Sequence, residues 1–150
     1  MKRSSSRIAS ILVLALAATI ALGLVGIPAH AGTLRRVQML RMMNGARSDH
    51  DVARLKLEDG LVHTARRHSE AMAAKGYIFH TASLASKLRK VTWRIAGENV
   101  GAGGTVEDLF NAFMASDGHR RNILRSSFKH VGIGMVKRDG FLWVTLMFYG

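Results

Sequence analysis

The chain has 150 residues, with 22 Lys and Arg against 10 Asp and Glu, a formal charge of +12, no cysteine and one proline. That length is too short for two ordinary domains. Without cysteine, stability comes from packing, and lipid attachment through an N-terminal cysteine is excluded. The charge favours anionic surfaces such as lipid head groups or wall polymers and says nothing about fold.

Met1 to Arg7 carries Lys2, Arg3 and Arg7 and no acid, and Ile8 to Ile27 is almost wholly apolar. Ala29-His30-Ala31 follows, with small residues at the two positions that a signal peptidase reads. Residues 1–31 therefore read as a cleavable secretory signal peptide, and 32–150 as one exported domain. The rival reading is a retained anchor, because the apolar run nearly reaches spanning length.

Apolar residues at Leu34, Val37, Met39, Leu40, Met42 and Met43 predict an amphipathic first helix reaching Arg47. Asn44 and Arg47 lie one turn apart near its end, and Ser48 to Asp51 makes a polar connection. Asp59 reads as the N-cap of a second helix. On it Leu61, Ala65, His68 and Met72 share a face, and Gly76 stops it. Ala82 to Leu88 predicts one or two helical turns, and Thr92 to Val100 a short extended segment. Gly101 to Gly104 reads as a flexible turn, because it lacks the Lys-Ser/Thr pair of a phosphate-binding loop.

Thr105 and Asp108 form a capping pair for a third helix over Val106 to Ala115. Its apolar face is Val106, Leu109, Phe110 and Phe113. Asp117-Gly118 breaks it, and a short helix restarts over His119 to Leu124. The tail is a hairpin: Val131, Ile133 and Met135 alternate, Asp139-Gly140 turns, and Phe141 to Phe148 returns. Both faces of that last strand are apolar, Val144, Leu146 and Phe148 on one and Trp143, Thr145 and Met147 on the other. It should therefore lie centrally, covered on both sides. Helices on two faces of a small antiparallel sheet that includes this hairpin predict a three-layer α/β/α sandwich.

Most of the seven histidines need no function. His30 leaves with the signal, His50 sits in a polar loop, and His63 and His130 read as surface residues. His68 reads as a hydrogen-bonded core histidine. His80 and His119 stand apart. Between them Gly97-Glu98-Asn99-Val100 sets a carboxylate in apolar and glycine-rich surroundings, where a charge needs a partner.

The segments Phe79-His80, Gly97-Glu98-Asn99, Gly118-His119-Arg120 with Asn122-Ile123-Leu124, and Val131-Gly132-Ile133-Gly134 occur in an order that resembles the CAP superfamily. That superfamily groups cysteine-rich secretory proteins, insect venom antigens and plant pathogenesis-related proteins. The nearest likeness is to its compact bacterial members. Asn44-x-x-Arg47 resembles its opening helix and Ala65-x-x-His68 its second. The likeness covers nearly all of Leu34 to Gly150. It implies an α/β/α sandwich of CAP type with a central cleft, which in many members holds two His and two Glu. His80, Glu98 and His119 match three of these. Ser116 stands where the second Glu usually lies, which weighs against an enzyme.

Two neutral imidazoles suit a divalent metal such as zinc, weakly held, with water completing the shell. Glu98 is then either a positioning partner of one imidazole, a ligand, or a proton acceptor for bound water. The alternative is a buried polar network without metal. Asn99 and Asn122 read as ties to loop backbone beside the cleft, and Arg120, Arg121 and Arg125 as a solvated basic face.

Three functions compete. The first is a secreted binding module for a lipid, a sterol or a divalent metal, as the resemblance implies. The second is a hydrolase using water activated at His80 and His119 with Glu98. The third is a basic protein that binds an anionic membrane surface or envelope polymer. Gly-x-Ser-x-Gly and His-Glu-x-x-His motifs are absent. Scattered basic residues argue against nucleic acid. A monomer is expected.

Overall fold

The C-terminal hairpin is the frame on which the rest of the chain is laid. The computed structural model describes residues 28–150; the basic start and apolar run of the expected signal peptide lie outside the described residues. The elements are α1 (Pro28–Asp49), β1 (Lys56–Leu57), α2 (Asp59–Lys75), α3 (Leu84–Lys87), β2 (Ala96–Gly103), α4 (Val106–Ala115), α5 (Asp117–Leu124), β3 (His130–Arg138) and β4 (Phe141–Tyr149). The strands form one sheet in the order β1-β3-β4-β2. Asp139 and Gly140 both take positive φ, 51° and 81°, as a tight hairpin turn demands.

β4 is central, and its two faces feed two cores. Val144, Leu146 and Phe148 pack with Met39 and Met43 of α1, Leu109 and Phe113 of α4 and Ile123 of α5. On the opposite face Met147 packs with Leu61 and Ala65, and Trp143 with Met72 and Ala73, all of α2. Helices thus cover both sides of the sheet, giving the α/β/α sandwich that the patterning predicts. No described helix is long and apolar enough to cross a membrane.

Glycines set how closely α2 approaches. A Cβ on Gly132 would lie 2.3 Å from Leu61 Cβ, and one on Gly134 would lie 2.1 Å from the carbonyl carbon of Ala65. The helix therefore rests directly on the backbone of β3. Ser69 is buried at this contact, with its Oγ 3.1 Å from Gly134 O and 2.9 Å from Thr145 Oγ1.

Arg47 is fully buried without a carboxylate partner. Its guanidinium donates to the carbonyls of Ala53 (2.7 Å), Ile123 (2.7 Å), Arg125 (3.0 Å) and Phe128 (2.9 Å). Four carbonyl dipoles replace the lost hydration, and burial lowers its proton affinity from the ordinary 12.5. Asn44, one turn earlier, donates to Leu55 O and accepts from Leu55 N–H. Together they tie the end of α1 to β1 and to the backbone leaving α5.

The structure corrects several local expectations. α1 begins at Pro28, so it crosses the expected boundary at Ala31, and it runs on to Asp49 through the supposed connection. Glu58, not Asp59, is the N-cap of α2. Gly101 to Gly103 are strand, not turn, because Phe113 and Leu109 press against the positions where side chains would stand. The helix break falls at Ser116, and Asp117-Gly118 already belongs to α5. Trp93 lies outside the strands. The sheet is mixed, because the two-residue β1, invisible to periodicity, pairs parallel to β3. α4 keeps its expected bounds, with Thr105 Oγ1 accepting from Asp108 N–H at 3.1 Å.

Candidate functional site

β2 is the edge strand that carries the site. Its pairing to β4 places Glu98 opposite Met147 and Asn99 opposite Leu146. Alternation then sends the two side chains to opposite faces of the sheet.

The Glu98 side chain is only 5% exposed, and its charge is met by short-range donors. Oε1 accepts from His80 Nδ1 at 2.9 Å and from the Thr81 backbone N–H at 2.9 Å. Oε2 accepts from the Thr81 hydroxyl. Three of the carboxylate's roughly four lone-pair sites are therefore taken. A carboxylate accepts only, so the hydrogen sits on Nδ1 of His80. In the neutral ring Nε2 keeps its lone pair. The His80 side chain is 63% exposed, so that nitrogen faces the surroundings from a ring whose orientation is set from below.

His119 is the second imidazole. It lies near the start of α5, half-buried, with its ring edge-on to Phe113 at 5.0 Å between centroids. Burial holds it below the ordinary 6.5, and the neighbouring His80 lowers it further. That mutual effect ties the two rings electrostatically across the loop and helix that carry them. The neutral form, with a free lone pair, is favoured in His119.

Asn99 and Asn122 brace this arrangement. Asn99 donates to His119 O at 3.0 Å, while Asn122 donates to Asn99 Oδ1 at 2.8 Å and Glu98 O at 3.2 Å. The backbone of α5 is thereby tied to β2 on the side opposite the Glu98 carboxylate. Ser116 sits at the joint of α4 and α5, its carbonyl accepting from Arg120 N–H. Among the described residues no hydrogen bond joins its side chain to the trio. Arg120, Arg121 and Arg125 are exposed, and Arg120 reaches only His50, at 3.3 Å.

The remaining histidines separate. His68 is held by the carbonyl of Phe79 at 2.8 Å, which anchors the segment leading into His80. His63 is exposed. His130 is half-buried instead of superficial, because its ring stacks on Tyr149 at 4.6 Å. Tyr149 donates to Glu58 at 2.9 Å, and burial and that carboxylate push its hydroxyl up to about 12.

Sequence reasoning missed Thr81, which supplies two of the three donors to Glu98. Its place directly after His80 was the available signal. The reach of Arg47 was equally hidden, since its partners lie far along the chain.

Residues 40–148 match the family model described as CAP, the cysteine-rich secretory protein family. The chain belongs to the CAP family. Its CAP domain is 32% identical over 120 residues to YkwD of Bacillus subtilis, spanning 75% of this chain and 46% of that protein. It is also similar to an extracellular protein containing an SCP domain from Bacillus anthracis. There the identity is 26% and the TM-score 0.71, over 79% of this chain and 41% of the other. A cysteine-rich secretory protein from Staphylococcus aureus matches at 26% identity and a TM-score of 0.68, over 81% and 40%. The chain thus spans less than half the length of these relatives. The fold of the CAP domain is shared with them, and its helices lack the disulfides that the family name evokes.

Proposed function

We propose that this CAP domain works outside the cell as a binding module, with His80 and His119 as paired donors to a divalent transition metal such as zinc. The observation that carries the reading is the exposed His80 ring, locked through Nδ1 by the buried Glu98 carboxylate. A carboxylate holding one imidazole nitrogen so that the other faces outward is the arrangement that metal-binding histidines use. The lowered proton affinity of His119 keeps its nitrogen available in mildly acidic surroundings.

The donor set fits a two-nitrogen, exchangeable site. Among the described residues no three His, Asp or Glu side chains are grouped to hold a metal, and Glu98 is occupied by its own partners. A structural zinc site with four protein ligands does not fit. A metal bound here would supply Lewis acidity at its open positions. Glu98 positions His80, and Ser116 offers no second carboxylate, so binding is favoured over hydrolysis. Export is supported by the signal pattern of residues 1–31 and by the likeness to proteins described as extracellular.

Calorimetric titration with zinc at neutral pH tests the proposal. One weak site should appear in the wild type and vanish in His80→Ala and His119→Ala, with both variants still folded. Glu98→Gln should weaken binding about ten-fold or more. Absence of zinc binding, with all three variants less stable, would leave the trio as scaffold. Binding of a sterol or other lipid that is lost with the same variants would make that ligand the occupant instead.

A further inference from the structure

The basic residues are unevenly spread over this surface. A depression of about 660 Å³ lies between the start of α2 and the segment around α3, and Arg67, Lys87, Arg89 and Lys90 all line it. All four are exposed, and among the described residues none pairs with a carboxylate. The one acid there, Glu58, is engaged by the Tyr149 hydroxyl. Elsewhere on the surface cations find partners: Arg66 pairs with Glu70 at 2.9 Å, and Lys129 donates to Ser126 O.

This depression does not end at α2. It shares His63 and Arg67 with a second one over the exposed face of that helix. The second shares Arg66 with a third, about 400 Å³ in volume, where Arg35 and Arg36 of α1 meet the open edge of β3. The three shallow basins thus form one continuous track across the α2 side of the molecule. Four unpaired cations held together at one end cost self-repulsion, which a matching line of negative charge would relieve.

We infer that this track binds a linear polyanion built on phosphodiester charges and lacking bases. A continuous channel suits an extended flexible chain better than a flat lipid surface. No Phe, Tyr or Trp lines any of the three depressions, so the stacking platform that single-stranded nucleic acid uses is missing. The track is separate from the His80–His119 pair, none of whose residues lines it.

The probe is a fluorescently tagged poly(glycerol phosphate), followed by anisotropy over a series of salt concentrations. Log affinity should fall linearly with log salt, about 0.7 for each phosphate neutralised, by analogy with single strands. The triple variant Lys87→Glu, Arg89→Glu, Lys90→Glu should weaken binding at least about ten-fold and flatten the slope by about 2. A control of equal charge change, Arg41→Glu, Arg54→Glu, Arg121→Glu, alters exposed residues of the α1 and α5 region. It should stay within about three-fold of the wild type, the margin left for general attraction. His80→Ala should bind the polymer as the wild type does. Thermal melts establish that both triple variants are folded. Equal losses in the two triples would overturn the inference in favour of net charge alone. Tighter binding of single-stranded DNA or of anionic vesicles, with the same sensitivity to the α3 variant, would overturn it in favour of those partners.

Discussion

His119 shows how a single residue carries both site chemistry and stability. Its proton affinity is lowered from 6.5, chiefly by burial and then by His80. The unfolded chain therefore takes up a proton here more readily than the folded one. By linkage, stability is full above the unfolded value near 6.5 and declines as pH falls through and below it. Urea midpoints measured from pH 7.5 to pH 5 should fall in the wild type, and less steeply in His119→Gln. Parallel curves for the two proteins would show that His119 is not the group responsible. Glu98 illustrates the complementary case. Its burial is tolerated because Thr81 and His80 give it three donors, and its chemistry is confined to orienting His80 by that same saturation.

Among elements, the contact of α2 on β3 decides the geometry of one whole layer. Gly134 leaves no room for a methyl group beneath Ala65 and Arg66, and the obstructing atoms are backbone, which cannot rotate away. Gly134→Ala should therefore cost more than ordinary overpacking, about 3 kcal/mol or more. Denaturant unfolding measures it, and a loss under about 1 kcal/mol would mean that α2 slides freely on the sheet. The consequence reaches the site. The Phe79 carbonyl that binds His68 of α2 lies directly before His80, so a displaced α2 carries His80 with it. On the other side of the sheet, Arg47 and Asn122 do the equivalent work for α5 and His119.

At the scale of the whole molecule, two functional surfaces occupy different regions of one small domain. The imidazole pair is held between β2, the loop before α3 and the start of α5, whereas the basic track crosses α2. Both presume a domain released from its leader. N-terminal sequencing of the exported protein should begin at Gly32, and intact chain recovered only with membranes would support a retained anchor. The basic start, the apolar run and Ala29-His30-Ala31 carry this prediction.

The sequence by itself determined what depends on neighbours a few residues away. The Thr105 cap, the Asp139-Gly140 turn and the two apolar faces of β4 all follow from local chemistry and period, and with them the layered fold. The family motifs singled out His80, Glu98 and His119. What only the tertiary structure decided depends on partners distant in the chain. The glycine run at 101–103 became strand because Phe113 and Leu109 needed its open faces. Glu98 became a positioning residue because Thr81, 17 positions away, takes up its oxygens. Unpaired cations from α2 and the α3 segment became one track only when those elements packed side by side. Periodicity reports which face of an element is buried; which atoms meet across two faces is decided by how the elements pack.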